Sequence, residues 1–75
     1  MLPLGNMKID NPIQFGRLVR NERKRLKVTQ RDLAMASGTG LRFVIDLEKG
    51  KATCQIGKAF QVLRNLGLKI QIENS

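Results

Sequence analysis

From Phe15 to Leu66 the apolar positions of the chain recur in steps of three and four, and from Leu68 to Ile72 in steps of two. The first spacing lines one face of an α-helix and the second one face of a strand. Asn11-Pro12 reads as a helix start, with Asn as the cap and Pro at the first helical position, where its missing N–H costs nothing. Phe15, Leu18, Val19 and Leu26 form an apolar side, and Arg17, Arg20, Arg23, Lys24 and Arg25 fill most of the rest. This predicts a first helix over about residues 12 to 26.

Thr29 followed three residues later by Asp32 is a variant capping box and starts a second helix, about residues 30 to 36, with Leu33 and Ala34 buried and Ser37-Gly38 ending it. After Thr39-Gly40 a third helix runs from Leu41 to about Glu48, Val44 and Leu47 facing inward, until Gly50 stops it. Two short helices around a Gly turn form a helix-turn-helix. Gln55 begins a fourth, IGKAFQVLRNLG, whose stripe is Ile56, Ala59, Phe60, Leu63 and Leu66 and whose stop is Gly67. Residues 1–10 show no period and form a loose arm, in which Met7-Lys8-Ile9 can add a short strand. Leu68-Lys69-Ile70-Gln71-Ile72-Glu73 alternates like a strand, and a lone strand must pair, with the arm or with the same strand of another copy. The expected plan is an arm (1–10), a helix-turn-helix domain (11–67) and a dimerisation strand with tail (68–75). The fold class is all-α: a bundle of about four to five helices whose C-terminal strand pairs across a dimer.

Seventy-five residues make one domain at most. Such a chain buries only about 60 to 65% of the surface its unfolded form exposes, so a partner subunit would help to stabilise it. Fourteen Lys and Arg against six Asp and Glu give a net charge of +8, and seven of the fourteen lie between Arg17 and Arg31. Cations clustered in this way match a polyanion, because they displace the counterions condensed on a phosphate backbone. The single Cys54 cannot form an internal disulfide, and no histidine is present to join it in a zinc site. No signal-peptide pattern and no apolar run of about 18 residues appears, which predicts a cytoplasmic chain with no membrane partner and no cofactor.

The residues Thr29-Gln30, Leu33-Ala34, Gly38, Val44, Leu47-Glu48 and Gly50 resemble the T-Q-x-x-L-A-x-x-x-G…I-x-x-L-E-x-G pattern of the lambda-repressor-like, or XRE, helix-turn-helix family. The match spans about residues 15 to 67. Gly38, Arg42, Phe43, Val44, Leu47, Glu48, Gly50 and Lys51, followed by Leu66-Gly67-Leu68 before KIQIE, are similar more narrowly to HipB-type antitoxins. The resemblance implies a homodimer that grips double-stranded operator DNA, with the third helix in the major groove. For the HipB type it implies C-terminal strands paired between subunits, here through Leu68, Ile70 and Ile72, and a HipA-type toxin kinase as partner. It also implies a structural tie between Arg23 and Glu48, and it makes Lys27 a departure from the Gly usual after the first helix.

On a wheel of about 100° per residue, Arg42, Asp46 and Lys49 face outward on the third helix, with Ile45 beside them and Leu41 and Phe43 at the flanks. Arg42 can read guanine with its fork or hold a phosphate; Asp46 can accept from cytosine or orient Arg42. Ile45 and Leu41, apolar where relatives are often polar, can touch thymine methyl groups or serve a protein partner. Phe43 is expected over the core edge. Phosphate grip is expected from Gln30 at the start of the second helix, from Thr39 and Gly40 at the start of the third, and from Lys49 and Lys51. No nucleophile stands at a recognisable spacing from a base, so an enzyme is not expected. The expected function is a sequence-specific transcriptional repressor and the antitoxin of a type II pair. The alternatives are a free-standing regulator and a helix-turn-helix fold used for protein contacts.

Overall fold

The computed structural model describes residues 11–51 and 55–68. Four α-helices occupy them: α1 (Pro12–Arg25), α2 (Gln30–Ser37), α3 (Leu41–Glu48) and α4 (Ile56–Asn65). The arm over residues 1–10, Cys54, and the tail carrying Ile70 and Ile72 lie outside the described residues.

The starts of α1 and α2 follow from their caps. Asn11 Oδ1 accepts from the Gln14 N–H at 2.9 Å. Thr29 Oγ1 accepts from the Asp32 N–H at 3.0 Å while Asp32 Oδ2 accepts from the Thr29 N–H at 3.2 Å, a reciprocal pair that satisfies two otherwise orphaned donors. α3 begins at Gly40 without a side-chain cap.

All four helices end in one device. A residue in the left-handed region turns the chain, and the N–H beyond it reaches back five positions to a carbonyl of the last turn. The turning residues are Lys27 (φ 60°), Gly38 (φ 70°), Gly50 (φ 84°) and Gly67 (φ 73°). The returning bonds are Val28 N–H to Arg23 O, Thr39 N–H to Ala34 O, Lys51 N–H to Asp46 O and Leu68 N–H to Leu63 O, between 2.9 and 3.3 Å. Lys27 therefore keeps the glycine turn and carries its strain.

Leu18, Val19, Leu33, Ala34, Val44, Leu47, Val62, Leu63, Leu66 and Leu68 form the core, with Phe15 and Phe43 packed at its edge. α3 packs on α1 and α2, and α4 packs on α2. Where α1 crosses α3 the backbones nearly touch: a Cβ on Gly16 would lie 2.4 Å from Leu47 O and 2.7 Å from Glu48 O. Only glycine fits there.

Three expectations need correction. The spacing predicts Ile56 and Phe60 on the buried stripe of α4, yet they are 65% and 41% exposed, and Val62 is fully buried instead. The packed face is centred on Ala59, Val62, Leu63 and Leu66, so an i, i+4 apolar pair at its margin stays outside. Leu26, assigned to the apolar side of α1, caps that helix and is 41% exposed. Buried positions on the last turns of α1 go to Glu22 and Arg23. Leu68, assigned to the intersubunit strand, is turned back by Gly67 into the core of its own chain and is 6% exposed. No helix among the described residues is long and apolar enough to cross a membrane.

Candidate nucleic-acid interface

The site is built on a buried ionic knot. Arg23, near the end of α1, donates from Nε to Glu48 Oε2 at 2.7 Å and from Nη2 to Glu48 Oε1 at 3.1 Å. Its Nη1 donates to Val28 O in the α1–α2 turn at 2.9 Å. The two side chains are 11% and 3% exposed, so a bidentate pair with satisfied geometry is what makes their burial tolerable. Gln30 Nε2 donates to the same Glu48 Oε1 at 3.2 Å. One carboxylate thus ties the end of α1, the start of α2 and the end of α3. Gln30, expected to face phosphate, spends one of its two amide hydrogens inside this knot.

Asp32 closes the start of α2 with its own carboxylate. That negative charge occupies part of the ground where an anion was expected, and the N–H at the third helical position is already used by Thr29. The start of α3 is more open. Gly40 offers no side chain, and the Thr39 hydroxyl turns toward Ser37 Oγ at 2.9 Å, itself anchored to Leu33 O at 2.7 Å.

Along α3 the inward residues are Val44 and Leu47, both buried. Leu41, Arg42 and Lys49 are exposed, and Ile45 and Asp46 are half-buried on the same outer side. Asp46 does not pair with Arg42. Its Oδ1 stands 3.5 Å from Lys51 Nζ and makes no hydrogen bond, because the turn at Gly50 carries Lys51 back over α3. Arg42, Lys49 and Lys51 are the exposed cations of this face.

The sequence reading missed Lys58. It lies in the first turn of α4, and its Nζ sits over the Phe43 ring, 5.8 Å from the centroid, a cation–π distance. Between α3 and the start of α4 opens a recess of about 380 Å³ lined by Arg42, Phe43, Asp46, Lys51, Gln55 and Lys58, among others. Nothing in local spacing connects residue 58 to residues 42–51; only the packing of the helices brings them together. The expected interface residues Leu68, Ile70 and Ile72 are not assembled here, since Leu68 is in the core and the other two lie outside the described residues.

No protein-family model matches the chain. The uncharacterized HTH-type transcriptional regulator y4mF of Sinorhizobium fredii is 51% identical over 65 residues, which is 87% of this chain and 86% of that protein. Among solved structures, the HipA-HipB-O2-O3 complex gives a TM-score of 0.82 at 22% identity, over 92% of this chain and 97% of the matched one. A HipB-O4 20mer complex gives 0.81 at the same identity and coverage. The restriction-modification controller protein C.AhdI from Aeromonas hydrophila gives 0.70 at 22% identity, over 77% and 84%. These neighbours share the fold, and at 51% identity over 87% of its length with the y4mF regulator the chain belongs to the HTH-type transcriptional regulators.

Proposed function

We propose that this regulator is a sequence-specific repressor that binds operator DNA as a homodimer and serves as the HipB-like antitoxin of a toxin–antitoxin pair. The observation that carries the DNA reading is the outer face of α3, where exposed Arg42, with Lys49 and Lys51 just past the helix end, accompanies Ile45 on a helix whose C-terminal end Glu48 anchors. A helix of about 10–12 Å diameter fits a major groove about 12 Å wide. Arg42 and Ile45 then reach base edges, Leu41 meets a thymine methyl or the groove wall, and Lys49 and Lys51 follow the backbone with the open N–H groups after Gly40. The structural neighbours support the partners: HipB occurs with a 20mer and with HipA.

Binding of a fluorescent duplex, selected from random sequence, tests the first part. The logarithm of affinity should fall against the logarithm of salt with a slope of about 0.9 per phosphate neutralised. A curve that barely moves with salt would favour a protein partner on the apolar surface of Leu41 and Ile45. For the dimer, removing residues 69–75 should give monomers by sedimentation; a truncated chain that stays dimeric sinks the role of Ile70 and Ile72. The antitoxin role predicts co-purification with a HipA-type kinase and loss of its activity in the complex. Failure of every kinase from the neighbouring reading frames to bind would refute it.

A further inference from the structure

Resting on the DNA reading above, we propose that the recess between α3 and α4 is a socket for one backbone phosphate of the bound duplex, with Lys58 as its principal contact and Phe43 as the platform that holds Lys58 in place. Three cations, Arg42, Lys51 and Lys58, and one carboxylate, Asp46, line it, so its local charge is positive. The floor is the Phe43 ring with Leu47 beside it, and Lys58 Nζ lies 5.8 Å from the ring centroid. An aromatic face attracts the ammonium and narrows its range of positions, so less order has to be imposed when an anion arrives.

Placement supports the same ligand. Arg42 and Asp46 belong both to the outer side of α3 and to the wall of the recess, so the cavity opens beside the surface that enters the groove. A helix that fills a groove of about 12 Å has the sugar-phosphate walls along its flanks, and the recess sets Lys58, at the start of α4, beside the outer residues Arg42 and Asp46. Asp46 opposes the anion. Its Oδ1, 3.5 Å from Lys51 Nζ, holds part of the Lys51 charge that phosphate would otherwise use. The carboxylate therefore limits how tightly any duplex is held and leaves preference to the base contacts.

The test uses the full chain and measures duplex binding over a salt series, on the selected duplex and on a random one. Lys58→Met keeps the stem over Phe43 and removes the charge. It should lower the slope by about 0.9 and weaken both duplexes equally. Asp46→Asn should strengthen binding to both, by more on the random duplex in relative terms. Lys24→Met, on the exposed side of α1, controls for net charge and should leave the slope where it was. The inference is overturned if Lys58→Met leaves the slope of a folded, DNA-binding chain unchanged, or if Lys24→Met lowers it equally. Titration with inorganic pyrophosphate in place of DNA separates the sources: amide shifts at Phe43 and Lys58 with an unaltered duplex slope would assign the socket to a free phosphate ligand and refute the backbone role. A wild-type chain that binds no duplex overturns the parent reading, and this one with it.

Discussion

Glu48 is the residue on which the helix-turn-helix geometry hangs, since its two oxygens serve Arg23 twice and Gln30 once. Glu48→Ala leaves a guanidinium 11% exposed without its partner, and breaking a buried pair from one side costs about 3–5 kcal/mol. Chemical denaturation should show a loss of that order. Lys27 offers the opposite case. Its φ of 60° costs a side-chain-bearing residue about 1–2 kcal/mol, part of which glycine returns through its freer unfolded chain. Lys27→Gly should therefore raise stability by about 0.5–1 kcal/mol, seen as a higher denaturation midpoint at unchanged m. Glu22 supplies a pH dependence. The hydrogen bond from Arg25 holds its carboxyl below the ordinary value despite burial. A lowered folded value adds stability above the unfolded carboxylate range, about pH 4.3, and that stability is lost as pH falls through the folded value. Arg25 is half exposed, so solvent screening keeps the effect small. Glu22→Gln should narrow the stability difference between pH 7 and pH 3 in denaturation measured at both. At this scale the sequence was legible where a residue type has one common use. Arg23 with Glu48 and the strain at Lys27 came from the family pattern, whereas the placement of Lys58 over Phe43 depends on how the helices pack and left no local trace.

Among the elements, helix existence and ends were readable because caps are local chemistry. Asn11, Thr29 with Asp32, and the glycines after α2, α3 and α4 each act within a few residues of themselves. Which face a helix buries is set by its neighbours. The apolar arc of α4 is wider than the surface α2 covers, so Ile56 and Phe60 read as core yet lie outside it. Leu68 failed for a related reason, as alternation with Ile70 and Ile72 masked the turn at Gly67 that sends it inward. Gly16 shows the reverse: silent in the pattern, yet decisive in the packing. Gly16→Ala gains up to about 1 kcal/mol in helix propensity and meets two carbonyl oxygens that cannot move without shifting α3. Overpacking of this kind costs about 1–3 kcal/mol or more, so the net should be a lower melting temperature, by about 4–8 °C per kcal/mol.

For the whole molecule, charge and family are the legible part: the net charge of +8 points to a polyanion, and the identity to an HTH-type regulator agrees with that class. Quaternary arrangement was not legible in the same way, because the residues meant to join two chains fall in the tail or in the core. The close crossing at Gly16 has a last consequence. With α1 seated on the final carbonyls of α3, and the same end of α3 tied to α2 through Glu48, the reading head is stiff and has little freedom to adjust its pitch. Under the proposed function the compliance must then come from the duplex. Preferred operators should be enriched in pliant pyrimidine–purine steps at positions no side chain touches, and cyclised or pre-bent fragments should outcompete straight ones of identical contacted sequence.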